Sequence, residues 1–255
     1  MDDVLLRLEE VSKHFGGLKA VDGVSFCLRG GEILGLIGPN GAGKTTCFNL
    51  VSGVYAPTSG KIFFEGISTG GYAPHKMAAL GVGRTFQVVK PFAALSVLQN
   101  VMVALGLRRY GSVCASFARW KTRQVSEEAM ALLEEVGIQS LAEIPSGKLP
   151  LGNQRRLELA RALALKPKLL LLDETFSGLR HEEVFLLSKL VLQVRSKGIA
   201  VLLIEHNMKV AMGLSDRLVV LHRGRLLAEG SAEEIRSDSR VIEAYLGRGA
   251  SAHAS

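Results

Sequence analysis

Two groups of residues in this 255-residue chain have the types and spacing to do chemistry on a phosphate ester. The first is Gly38-Pro39-Asn40-Gly41-Ala42-Gly43-Lys44-Thr45-Thr46, which fits the pattern G-x-x-x-x-G-K-[ST]. Its glycines let backbone N–H groups curl around phosphate oxygens, and a helix opening at the end of the loop adds the positive end of its dipole. Lys44 supplies a point charge to the β- and γ-phosphates. Thr45 offers a hydroxyl to Mg²⁺, an ion that keeps several waters and takes few protein ligands. The second group is Leu169-Leu170-Leu171-Leu172-Asp173-Glu174, an apolar run ending in adjacent carboxylates. Successive strand residues point to opposite faces, so Asp173 can reach a metal shell while Glu174 serves a different site. That division suits metal binding by one and polarisation of a water by the other. Two solvated acids at a strand end is the bland alternative, and the phosphate loop in the same chain weighs against it.

The loop needs a strand before it and a helix after it, and the flanking pattern predicts both. Nearly continuous apolar runs at 32–37, 168–172 and 200–204 read as strands buried on both faces, the mark of a parallel sheet. Residues 4–11 and 61–66 read as half-exposed strands, and 219–228 as a hairpin around Arg223-Gly224, so an antiparallel patch is expected beside the parallel sheet. From 87 to 165 helical periodicity takes over, at 97–107, 124–136 and 152–165. The expected fold is therefore α/β: a phosphate-loop core with a mainly parallel sheet, an antiparallel β patch and an inserted helical subdomain at 88–165. Residues 1–255 read as a single domain and 247–255 as a frayed tail.

Composition narrows the partners. A hydrophobic share of 47% and a charged share of 22% exclude disordered, collagen-like and disulfide-scaffold classes. The net charge of +7 favours an anionic partner without choosing among nucleotide, nucleic acid and lipid headgroups. Cys27, Cys47 and Cys114 have no C-x-x-C spacing, which points to a reducing compartment. Met1-Asp2-Asp3-Val4 is acidic where a secretory signal is basic, and no apolar run approaches the roughly 20 residues of a membrane span. Any work at a membrane is expected to use another protein's span.

Further motifs follow in order: Arg84-Thr85-Phe86-Gln87, Leu149-Pro150-Leu151-Gly152-Asn153-Gln154-Arg155-Arg156-Leu157-Glu158 and Ile204-Glu205-His206-Asn207. With the loop and the acidic pair they resemble the ATP-binding subunits of ABC transporters, and within them those of branched-chain amino acid importers. The resemblance runs from Phe15-Gly16-Gly17-Leu18-Lys19-Ala20-Val21 to Val241-Ile242-Glu243-Ala244-Tyr245-Leu246-Gly247. It implies ATP and Mg²⁺ as ligands, with Phe15 stacking on adenine, Gln87 near the metal and the attacking water, and His206 at the γ-phosphate holding Glu174. It also implies that Leu151, Gly152, Asn153 and Gln154, at the tip of a helix, bind the ATP of a second copy in a head-to-tail dimer. The partners implied are integral-membrane permease subunits, a second identical or homologous ATPase and, indirectly, an extracellular or periplasmic solute-binding protein. The chain itself would sit at the cytoplasmic face of the membrane.

The chain departs from the family pattern at Pro150, where a serine is common, and at Thr175 and Phe176, which replace a proline and a small residue. Arg180 stands in the loop expected to cross the dimer interface. These departures motivate an alternative: a hydrolysis-impaired subunit paired with a competent homologue. Leu95-Ser96-Val97-Leu98-Gln99-Asn100 resembles the surface that receives a permease and reads equally as core. Arg119-Trp120-Lys121-Thr122-Arg123 reads as a solvated helix end or a lipid-facing patch. A nucleic-acid partner is not expected, because the chain lacks both a long coiled-coil insertion and an aromatic-basic platform.

Overall fold

The computed structural model describes residues 4–85, 91–109 and 123–246. The chain opens as a long hairpin, β1 (Val4–Phe15) and β2 (Leu18–Arg29), and then enters the centre of the molecule as β3 (Ile33–Ile37). After the phosphate loop and α1 (Lys44–Val51) it returns to the first sheet as β4 (Ser59–Phe64) and β5 (Ile67–Ser68). Next come α2 (Pro74–Leu80) and β6 (Val82–Arg84), then the helices α3 (Val97–Arg109), α4 (Arg123–Glu135) and α5 (Leu151–Ala164). The second half alternates: β7 (Leu169–Asp173), α6 (His181–Ser196), β8 (Ala200–Ile204), α7 (Met208–Leu214), β9 (Arg217–His222), β10 (Arg225–Gly230), α8 (Ala232–Ser237) and α9 (Ser239–Leu246).

Two sheets result. One is antiparallel, in the order β2-β1-β4-β5, and the other is six-stranded, in the order β10-β9-β3-β8-β7-β6. In the second, β9, β3, β8, β7 and β6 run parallel, and β10 closes the edge as the antiparallel half of a hairpin. Every residue of β3, β7 and β8 is buried, and alternate side chains feed two different cores. Leu170, Leu172, Val201 and Leu203 pack towards the helices with Leu157 and Leu163 of α5. Leu169, Leu171, Leu202 and Ile204 pack towards α1, whose Cys47, Phe48 and Val51 share that core with Leu6, Leu8, Phe26 and Phe64 of the first sheet. Helix α1 is thus clamped between two sheets. Burial raises the thiol of Cys47 to about 12 and leaves it inert.

Two strands go beyond what the sequence signalled. Residues 18–29 form β2, whose alternation is interrupted by Asp22-Gly23 and whose pairing with β1 shifts register several times. β6 has three residues, too few to show a period, and exists by pairing with β7. β1 also runs past residue 11, because His14 and Phe15 pair with Lys19 and Leu18. Of the 95–100 segment, Val97 and Asn100 are buried in the fold, while Leu98 is partly buried against the same core. Arg123 starts α4, exposed and paired with Glu127 at 2.8 Å. Gln87, Cys114, Arg119-Trp120-Lys121-Thr122 and 247–255 lie outside the described residues. Among the described residues no helix is long and apolar enough to cross a membrane.

Candidate nucleotide site

The phosphate loop leaves β3 at the carboxyl edge of the parallel strands, where α/β sheets bind ligands. Gly38 has φ +147°, and a Cβ there would lie 2.1 Å from the carbonyl oxygen of Leu221. Gly43 has φ +102°, and its Cβ would meet the carbonyl oxygen of Ala20 at 2.4 Å. Both neighbours are backbone and cannot yield, so only glycine fits. The turn of the β9–β10 hairpin braces the loop from outside: Gly224 N–H donates to the Ala42 carbonyl at 3.0 Å, and Asp22 N–H to the Gly224 carbonyl at 2.8 Å. Lys44 is buried, and its Nζ donates to the carbonyls of Gly38 (2.7 Å) and Pro39 (3.0 Å), drawing the loop into a ring. No side-chain hydrogen bond caps the N-terminus of α1, which opens directly from the loop.

That concavity is a cleft of about 700 Å³ lined by Asn40, Gly41, Ala42, Gly43, Lys44, Thr45 and Thr46, by Lys19 on β2, by Arg223, and across the gap by Glu174 and His206. Asp173 falls on the same face of β7 as Leu169 and Leu171, towards α1. Burial raises its carboxyl, and Arg84 opposes the rise through an ion pair at 3.2 Å. Arg84 is itself held by Asn49 Oδ1 and Ser52 Oγ, each at 2.8 Å. Glu174 adopts φ +49°, donates its N–H to the Ile204 carbonyl at 2.9 Å, and sets Oε1 2.6 Å from His206 Nε2. Glu205 is buried, takes the Phe176 N–H at 3.0 Å, and is raised to about 7, chiefly by desolvation.

The sequence-derived residues therefore divide. The loop, Glu174 and His206 share one cleft. Phe15 lies at the end of β1, 43% exposed, edge-on to Tyr55 with ring centroids 5.2 Å apart, while Leu18 from the same hairpin lines the cleft. Leu151, Gly152, Asn153 and Gln154 stand at the N-terminus of α5, outside that cleft. There a Cβ on Gly178 would lie 3.1 Å from Leu151 Cδ2, and one on Gly152 would lie 2.5 Å from Glu183 Oε1. For Mg²⁺ the donor chemistry fits: a hydroxyl on Thr45 and a buried carboxylate on Asp173 are hard oxygens, too few to form a cage without phosphate and water. Among the described residues no cluster of three His, Cys, Asp or Glu could hold a metal alone. Arg84 and Glu205 were missed as site residues. Their partners are 89 and 29 residues away, a distance at which local pattern carries no signal.

Phosphate-loop nucleotide-binding proteins are the class this arrangement defines. Comparison with known proteins narrows it: residues 21–177 match the ABC transporter family and residues 225–251 the branched-chain amino acid ATP-binding cassette transporter family. The high-affinity branched-chain amino acid transport ATP-binding protein BraF of Pseudomonas aeruginosa is 40% identical over 97% of this chain and 99% of its own. LivG of Salmonella typhimurium, described in the same words, is 41% identical with the same coverage. A crystal structure of an ABC transporter's ATP-binding cassette in its ADP conformation superposes with a TM-score of 0.85 at 31% identity, covering 96% of this chain and 99% of that one. The chain belongs to the ATP-binding subunits of ABC transporters.

Proposed function

We propose that this chain hydrolyses ATP to drive uptake of branched-chain amino acids or similar small solutes through separate integral-membrane permease subunits, to which it docks at the cytoplasmic face. A solute-binding protein outside the membrane would deliver the cargo. The observation that carries the reading is the Glu174–His206 pair, 2.6 Å apart, facing the Lys44 loop across one cleft. With the β- and γ-phosphates on the loop amides and Lys44, Glu174 orients a water for in-line attack on the γ-phosphorus. The bond to the β–γ bridging oxygen breaks, and ADP and phosphate leave. His206 fixes the carboxylate's rotamer and lies within reach of the γ-phosphate. Thr45 and Asp173, with Gln87, would hold Mg²⁺, which neutralises charge on the phosphates. Phe15 would stack on the adenine. Leu151, Gly152, Asn153 and Gln154 would meet the nucleotide of a second ATPase subunit, identical or homologous.

The hydrolysis-impaired alternative rested in part on Thr175. That residue is buried with its hydroxyl 3.1 Å from Thr85 Oγ1, so the turn accommodates it. Replacing Glu174 with Gln keeps the shape and removes the charge. In the assembled transporter this variant should bind ATP as the wild type does and lose hydrolysis by at least ~10²-fold. Equal turnover by variant and wild type would defeat the reading.

A further inference from the structure

Behind the catalytic pair lies a buried charged cluster that this mechanism does not use. Glu205, between Ile204 and His206, is 4% exposed, and a carboxylate so enclosed needs partners. One is the backbone amide of Phe176, 3.0 Å from Oε1. Another is the positive charge of Arg155 on α5, itself buried and ion-paired with Glu158 at 3.4 Å. Phe176 belongs to the turn that starts at Glu174, whose φ of +49° lies in the left-handed region that non-glycine residues adopt uncommonly. Three successive residues grip that turn. The Ile204 carbonyl takes the Glu174 N–H, the Glu205 carboxylate takes the Phe176 N–H, and the His206 imidazole meets the Glu174 carboxylate. The middle grip is the one made by a side chain to backbone, so substitution can remove it without touching the reacting groups.

We propose that Glu205 is a positioning residue for hydrolysis: by holding the Phe176 amide it fixes the turn that presents Glu174 to His206 and to the attacking water. The inference rests on the ATPase reading above.

The decisive pair is Glu205→Gln, which keeps an acceptor oxygen of similar reach, and Glu205→Met, which fills the space with none. Steady-state ATPase kinetics and equilibrium ATP binding are measured on the assembled transporter. The Met variant should lose ~10- to 100-fold in kcat with nucleotide affinity within about 2-fold of wild type, while the Gln variant stays within about 3-fold in kcat. Wild-type turnover in the Met variant, equal loss in both variants, or a Met loss carried by weakened ATP binding would each overturn the proposal. Where the Met protein does not fold, Glu205→Ala decides on the same criteria. Glu174→Gln runs alongside: if it and the wild type turn over equally, the ATPase reading has failed, whereas a dead Glu174→Gln beside a fully active Met variant sinks the role of Glu205 alone.

Discussion

Glu205 keeps its proton to higher pH in the folded chain than in the unfolded one, because burial raises it from 4.5 to about 7. Between those values the native state binds more protons, so this group's contribution is fully present below the lower value and is lost as pH rises through the upper one. The loss is at most about 3 kcal/mol at 1.36 kcal/mol per unit, opposite in sign to that of a salt-bridged acid. Glu205→Gln has no proton to lose. Denaturant unfolding at pH 5 and pH 8 should therefore show the wild type losing about 2–3 kcal/mol relative to the variant; parallel curves would show that the carboxyl is not desolvated. At Lys44 the side chain closes the loop on the Gly38 and Pro39 carbonyls, and in the proposed mechanism it also supplies charge to phosphate. Lys44→Ala should weaken ATP binding by ~10²-fold, equivalent to about 2.7 kcal/mol, in a direct titration. Affinity within a factor of a few of wild type would remove Lys44 from the phosphate site.

At the scale of elements, α3 shows how one polar residue arranges its neighbours. Asn100 is buried; its amide nitrogen contacts the carbonyls of Phe92 (3.2 Å), Leu95 (3.4 Å) and Ser96 (3.0 Å) and Ser146 Oγ (3.1 Å). Its Oδ1 accepts the Phe92 N–H at 2.9 Å. Asn100→Leu would strip the Phe92 N–H of its acceptor, while the carbonyls of Phe92, Leu95 and Ser96 keep Ser146 Oγ, the Ser146 N–H and the residue-100 N–H. Equilibrium unfolding should show a loss of about 1–3 kcal/mol with the m-value unchanged, and a loss under about 0.5 kcal/mol would mean that water replaces the amide. The residue types of 95–100 are compatible with surface and with core, so this role was not legible in the sequence. What was legible follows from local rules: the wholly buried strands β3, β7 and β8 with their apolar runs, the glycine loop and the hairpin at Arg223-Gly224. β2 and β6 were not, since one is interrupted and the other too short to show a period. In the site, the loop and the acids announced themselves by spacing. The Arg84–Asp173 pair and the Glu205 grip depend on β7 lying between β6 and β8, an ordering set by long-range pairing.

At the scale of the whole molecule, the two helix tips proposed to bind phosphate do not serve one cleft. The N-terminus of α1 opens into the 700 Å³ cleft beside Glu174 and His206, whereas no residue of 151–154 lines it. If both tips are to hold one ATP, the second must come from another chain, and the nucleotide's negative charge then becomes the bond between subunits. Pairing should accordingly require ATP, and should persist only where hydrolysis is blocked. Light scattering of the Glu174→Gln protein with ATP and Mg²⁺ should show a two-chain species, with itself or with a homologous ATPase subunit, that reverts to single chains when ATP is removed. Adding Gly152→Asp puts a carboxylate where phosphate is expected and pushes against Glu183, whose Oε1 lies 2.5 Å from the new Cβ. That double variant should bind ATP in its own cleft within about 3-fold of its parent and yet fail to pair, because removing a contact across the interface need not disturb the loop. A Gly152→Asp chain that still pairs with ATP bound would place the α5 tip away from the nucleotide, and a Glu174→Gln chain that stays single with every partner would leave hydrolysis to one cleft alone.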